Sequence, residues 1–229
     1  MTDEDAAYPK SQVGKPVALE ARSEEADGRR HSPSIARNRD VVRDVYLKHM
    51  PASGTVLEIA SGTGEHGAHI ASAMPDIAWQ YTDIDPVSLA SQAAWRSHMG
   101  EAASLLEPVL LDVTAADWPA SGANLPVQAM FCANMIHIAP FAAAEGLLAG
   151  AGRHLRLGGR LMLYGPFARA GVIVPSNARF SDDLKRRDGD WGVRDLDFEI
   201  MPLAQRASLK LAEVVEMPAN NLIVIFEKH

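Results

Sequence analysis

The chain has 229 residues, 47% of them hydrophobic and 22% charged, which is enough apolar material for one substantial core and excludes a disordered or fibrous polymer. With 22 basic against 29 acidic side chains the formal charge is −7, so the general attraction that dominates nucleic-acid affinity is missing. The single cysteine, Cys132, cannot form an internal disulfide, no apolar run approaches the roughly 18–20 residues of a membrane span, and the polar start is unlike a signal peptide. A cytoplasmic protein with neither a nucleic-acid nor a membrane partner is expected; its oligomeric state is left open.

Residues 1–30 are rich in Glu, Asp, Lys, Ala and Ser and show no apolar period, so a flexible tail is expected there, followed by one domain over 31–229. Ile35, Val41, Val42, Val45, Tyr46 and Met50 recur at helical spacing, and Pro51, Ser53 and Gly54 close the segment, so 31–50 reads as a leading helix and cover. Short apolar runs follow at Thr55–Ala60, Trp79–Asp83, Pro108–Leu111, Ala129–Ala133 and Arg160–Tyr164, with helical stretches Gly64–Met74, Pro86–Met99 and Phe141–Leu155 between them. Strands with no wet face, alternating with helices, predict an α/β fold with a parallel sheet covered on both sides. Residues 165–194, punctuated by Pro166, Gly171, Pro175, Gly189 and Gly192, read as a long lid insertion. The Lys185-Arg186-Arg187 run within it lies among aspartates and reads as a solvated face. Leu209–Met217 and Asn221–Glu227 form a terminal antiparallel hairpin.

The chemistry-bearing segment is Val56-Leu57-Glu58-Ile59-Ala60-Ser61-Gly62-Thr63-Gly64-Glu65-His66-Gly67, a strand running into a glycine-rich turn and then a helix. In an open parallel sheet a ligand lies beyond the carboxyl ends of the strands, where such a turn leaves room for it. The spacing Gly62-x-Gly64-x-x-Gly67 also fits the dinucleotide fingerprint, with Asp83 at the distance expected for a ribose. Asp83, Asp112 and Asn134 each close a later strand, so polar residues collect at one edge. Asp85, before Pro86, reads as a helix cap.

This arrangement resembles the class I S-adenosylmethionine-dependent methyltransferases over nearly the whole chain from Ser34. The resemblance implies a Rossmann-like seven-stranded sheet in the order 3-2-1-4-5-7-6, last strand antiparallel, with helices on both faces. It implies S-adenosyl-L-methionine as cofactor and S-adenosyl-L-homocysteine as product. Glu58, Ala60, Ser61, Gly62, Gly64 and His66 would surround the methionine part, Asp83 with Ile84 the ribose, and Asp112 with Val113 the adenine; Asn134 and Met135 would line the site after strand four. Ala60 stands where many members carry glycine, which implies a slightly less close approach there. At finer grain Ala36-Arg37-Asn38-Arg39-Asp40, Asn134-Met135-Ile136-His137-Ile138, Leu163-Tyr164-Gly165-Pro166-Phe167 and Asp190-Trp191-Gly192-Val193-Arg194-Asp195 resemble the methyltransferase-like protein 26 family.

Methyl transfer from a sulfonium is an in-line displacement, so positioning matters most and a base is needed only for a protonated acceptor. His137 is the candidate base, and Tyr164 the candidate for orienting the acceptor; each also reads as a packed core residue. Arg37, Asn38, Phe167, Asn177, Phe180 and Trp191 are the substrate-pocket candidates. His66 and His69 lack a third ligand at metal spacing, so no metal is expected. The function implied is methylation of a small molecule at oxygen, nitrogen or sulfur. Alternatives are a protein or RNA methyltransferase with a partner, a binding module without turnover, and a nicotinamide-dependent oxidoreductase.

Overall fold

The structure, a computed structural model, describes residues 21–118 and 125–229. Ten strands and six helices follow in chain order: β1 (Ser23–Glu24), β2 (Arg30–His31), α1 (Pro33–His49), β3 (Gly54–Ile59), α2 (Glu65–Ala71), β4 (Ile77–Asp83), α3 (Pro86–Met99), β5 (Val109–Leu110), β6 (Val127–Ala133), α4 (Phe141–His154), β7 (Leu155–Ala168), α5 (Pro175–Arg187), β8 (Arg194–Asp195), α6 (Met201–Arg206), β9 (Leu209–Met217) and β10 (Asn221–Lys228). The main sheet runs β5-β4-β3-β6-β7-β10-β9, with β8 beside the end of β7. Neighbours from β5 to β7 are parallel, whereas β10 is antiparallel to both β7 and β9. Counted without the short hairpin and β8, this is the order 3-2-1-4-5-7-6 with its last strand reversed, the Rossmann-like methyltransferase sheet expected.

Both faces of the sheet are dry because residues alternate between two cores. Along β6, Met130 and Cys132 join the cluster under α4 and α6, while Ala129 and Phe131 join the cluster under α1, α2 and α3. In the second cluster Tyr46, Trp79 and Phe131 meet ring to ring at centroid distances of 5.6–6.2 Å. Residues alternating between two buried faces leave no polar period, which is why the strands read as continuous apolar runs.

Two expectations change. Of the tail expected over 1–30, residues 1–20 lie outside the described ones, but Ser23–Glu24 and Arg30–His31 pair as an antiparallel hairpin. Polar anchors hold that hairpin: Arg30 N–H donates to Ser91 Oγ (2.9 Å), Ser32 N–H donates to Glu65 Oε2 (2.7 Å), and the Arg29 guanidinium lies 5.0 Å from the Trp95 ring centre. The 165–194 insertion is not one loop, for β7 continues to Ala168 and α5 occupies Pro175–Arg187. The buried stripe of α5 is Asn177, Ser181 and Leu184, which carries too little hydrocarbon for a hydrophobic period to reveal it.

Candidate functional site

The turn after β3 is held in an unusual backbone shape. Ala60, Gly62 and Gly64 have φ of 54°, 57° and 89°, and for a residue with a Cβ this left-handed region costs about 1–2 kcal/mol. The alanine at position 60 is therefore a matter of backbone strain as well as of approach. Ser61 is stitched to β4: its N–H donates to Thr82 O (2.8 Å), and its Oγ accepts from Thr82 N (3.1 Å) and donates to Glu58 O (3.3 Å). Among the described residues the only atom within 4 Å of where a Cβ at Gly62 would stand is Arg22 Nη2, at 3.8 Å, so the backbone is approachable. Gly67 is different. A Cβ there would stand 2.3 Å from Trp79 Nε1 and 2.4 Å from Tyr81 Cε1, so this third glycine lets α2 lie on β4 and touches no ligand space.

Asp83, at the end of β4, accepts from Gly62 N–H (2.8 Å) and from Asp85 N–H (3.0 Å). Its carboxyl is 7% exposed, and burial raises its pKa to about 6 despite those two donors. Asp85 is the N-cap of α3, accepting from Val87 and Ser88 N–H, so it is not a second ribose acid. Ile84 beside it is half-buried. Glu58 lies beneath α2 rather than along the open turn, with Oε2 accepting from Trp79 Nε1–H (2.8 Å), and burial raises its pKa to about 8. Asp112 is half-buried past β5, and its Oδ1 accepts from Thr114 N–H (2.9 Å) and Oγ1–H (2.7 Å). The Val113 and Met135 side chains belong to the core under α4, not to the open edge. Asn134 has φ 61° and donates its N–H to Tyr164 O (2.8 Å), joining the ends of β6 and β7.

His137 departs from the role expected for it. The ring is fully buried, edge-on to Phe167 at 5.0 Å, and its Nδ1 accepts from Arg194 N–H (3.3 Å). Burial, aided by the Arg194 charge, lowers its pKa to about 3, so it is a neutral, poorly basic imidazole rather than a base matched to neutral pH. Tyr164 is buried as well, and its hydroxyl accepts from Asn38 Nδ2–H (3.2 Å). Phe167 packs on His137, Gly192 N–H donates to His137 O (2.9 Å), and Trp191 is buried beside it in sequence. Asn177 Nδ2–H donates to Asn220 O (2.9 Å), and Phe180 is half-buried on α5. Arg37 is exposed on α1, off the stripe marked by Val42 and Tyr46, because helical spacing carries position 39 and not 37 onto that stripe.

Several residues that matter escaped the sequence reading. Arg194 donates to the carbonyls of Ile136 (3.0 Å), Ala139 (2.9 Å) and Asp190 (2.7 Å), tying the segment before β8 to the end of β6. Gln92 Nε2–H donates to Gly62 O (3.1 Å), and Glu65 gathers Thr63, Ser32 and His31. The buried ring of His66 stands edge-on to Phe131 at 5.7 Å with its pKa lowered to about 3, mainly by burial and in part by the charges of His69 and Arg39. A helical count from Tyr46 back through Val42 to Arg39 was the available signal. Among the described residues no group of three His, Cys, Asp or Glu side chains could hold a metal, and no helix is long and apolar enough to cross a membrane.

The sequence pattern of a family described as "Protein of unknown function (DUF938)" matches residues 29–228. Solved structures share the fold. An O-methyltransferase family 2 protein from Planctomyces limnophilus, in complex with apigenin, is 20% identical with a TM-score of 0.70 over 86% of this chain and 60% of its own. An O-methyltransferase family protein from Burkholderia thailandensis is 15% identical with a TM-score of 0.70 over 85% of this chain and 57% of its own. CalO1, a methyltransferase in calicheamicin biosynthesis in an SAH-bound form, is 16% identical with a TM-score of 0.69 over 86% of this chain and 54% of its own. This chain thus spans less than two thirds of the length of each.

Proposed function

The chain belongs to the DUF938 family, and we propose that it is an S-adenosylmethionine-dependent methyltransferase whose acceptor is a small molecule with an oxygen, nitrogen or sulfur nucleophile. The observation that carries this reading is Asp83: a buried carboxylate at the end of β4, held by two backbone N–H groups, beside Gly62, which among the described residues has only Arg22 within 4 Å of where a Cβ would stand. The buried atoms His66 Nδ1 and Gln92 Oε1, which have no hydrogen-bond partner among the described residues, flank the same turn and fit a polar ligand seated there. S-adenosylmethionine supplies a methyl group already activated as a sulfonium. Asp83 would hold the ribose diol, with Asp112 at the adenine end. On the other side Tyr164, fixed by Asn38, and the β6 end, fixed through Arg194, would position the acceptor and keep water out. His137, neutral and buried, would shape the pocket without taking a proton.

The similarity to methyltransferase-like protein 26, the cytoplasmic location and the single domain from residue 31 onward are parts of the same proposal. The small-molecule acceptor draws support from the apigenin complex of one neighbour and from the acidic charge of the chain. One observation favours a nicotinamide dinucleotide instead, namely Arg22 beside Gly62, where a pyrophosphate would pass. Calorimetric titration with S-adenosylmethionine, S-adenosylhomocysteine and NAD decides between them. Binding of both sulfur nucleosides and not of NAD is expected; NAD binding alone would replace this proposal with the oxidoreductase.

A further inference from the structure

Towards the carboxyl edge of the sheet, the inner stripe of α1 ends in two polar residues, Asn38 and Arg39, where the preceding turns carry Tyr46 and Val42. Asn38 Oδ1, Arg39 Nε and His66 Nδ1 are each withdrawn from solvent with no hydrogen-bond partner among the described residues. His66 is 4% exposed on α2, which packs against α1, and the Arg39 charge is felt at its ring. Asn38 donates to the Tyr164 hydroxyl, so the same group of atoms abuts the end of β7. Buried polar atoms are nearly always satisfied in folded proteins, and three orphans close together mark a group that the described residues do not supply.

The chemistry of that group follows from the donors. A guanidinium only donates and is always charged, and its planar fork matches a carboxylate. One turn further along α1, Arg43 is paired with Asp40 and Asp44, whereas among the described residues Arg39 has no carboxylate. His66, neutral through burial, adds a hydrogen-bonding nitrogen without a second charge. The cluster also has a definite place. Asp83 holds Gly62 on the β4 side of the glycine turn, and His66 follows Gly64 on the side of α1 and β6.

We infer that Arg39, with His66 beside it, seats the amino-acid carboxylate of the cofactor at the opposite end from Asp83, while Asn38 Oδ1, which can only accept, suits the adjoining ammonium. This rests on the cofactor reading given above. Acid then meets the diol at one end of the ligand, and base meets its carboxylate at the other.

The test is calorimetric titration of the full chain with S-adenosylhomocysteine and with 5′-methylthioadenosine, which keeps the nucleoside and sulfur but lacks the amino-acid end. The proteins are wild type, Arg39→Gln, Arg39→Lys and Arg22→Gln, each checked by circular dichroism. Arg39→Gln should weaken S-adenosylhomocysteine about 10- to 100-fold and leave 5′-methylthioadenosine unchanged, with Arg39→Lys in between. Equal binding of S-adenosylhomocysteine by wild type and Arg39→Gln, equal weakening of both ligands, or a selective loss in Arg22→Gln would overturn the assignment while leaving the cofactor reading intact. A wild-type protein that binds neither nucleoside overturns both.

Discussion

On the β4 side of the sheet edge Asp83 is held by backbone: it takes the amides of Gly62 and Asp85, 21 and 2 residues away. On the β7 side the links start from side chains and reach distant parts of the chain. Asn38 reaches Tyr164 across 126 residues, Arg194 reaches Ile136 across 58, and Asn177 reaches Asn220 across 43. A carboxylate held by main-chain donors stays in place as neighbouring side chains change, because the strand and turn fix those donors. The β7 side depends on particular side chains, and altering one of them shifts the wall of the pocket. One fold can thus keep a constant ligand at the first side while varying what it admits at the second.

The largest expected effect breaks the first side. Asp83→Ala should weaken S-adenosylhomocysteine binding about 30- to 1,000-fold, roughly 2–4 kcal/mol, whereas Arg194→Met should change it by less than about threefold. Similar losses from both substitutions would dissolve the contrast. Next comes Gly67→Ala, whose methyl must push α2 off Trp79 and Tyr81; a loss of about 1–3 kcal/mol in urea unfolding is expected, with Gly62→Ala costing about 1–2 kcal/mol through its backbone angle alone. Arg194→Met should cost roughly 1–3 kcal/mol of stability and speed amide exchange at Gly192 and Arg194, whose acceptors both lie on His137. If stability falls while those amides stay protected, Arg194 does not clamp this segment.

The smallest effect is a pH dependence. Glu58 has its folded pKa raised to about 8 from an ordinary 4.5, so the proton it keeps stabilises the fold at low pH, and that contribution is lost as pH rises through 8. Between pH 7 and 9 the wild type should lose about 1 kcal/mol, with a smaller loss in the same direction from the Cys132 thiol, whose pKa burial also raises. Glu58→Gln should flatten most of that slope. His66 and His137 act in the opposite sense, each lowered to about 3, so their contribution is present above the ordinary 6.5 and is lost as pH falls below it. A wild-type stability that holds steady from pH 7 to 9 would mean that Glu58 is ionised in the fold.

The same asymmetry decides how much was legible in the sequence. α3 was expected and found over Pro86–Met99, because Asp85-Pro86 supplies the cap and first-turn proline while Gly100 ends the helix, all local signals. The glycine turn and Asp83 were legible for the same reason. The β1–β2 hairpin was not, since Arg29, Arg30 and His31 are anchored by a ring, a hydroxyl and a carboxylate supplied by α2 and α3. Nor was α5, with Asn177 and Ser181 where a hydrophobic pattern needs hydrocarbon. His137 shows the remaining difficulty: its position past β6 was correctly read, but only Phe167 and Arg194, brought in from later in the chain, determine that it is buried and neutral.

The place of β10 bears on how the chain is made. It lies between β7 and β9, paired with one from Asn221↔Pro166 to Glu227↔Arg160 and with the other from Asn221↔Met217 to Lys228↔Leu209. A ribosome delivers both of those strands before the one that joins them, so β7 and β9 emerge with open hydrogen-bonding edges and no partner between them. Until Asn221–Lys228 has left the exit tunnel the nascent sheet stays in two pieces, exposed to adventitious strand pairing and to chaperones. Ribosome stalling or nonsense codons inside β10 should therefore be far more damaging than their distance from the glycine turn suggests.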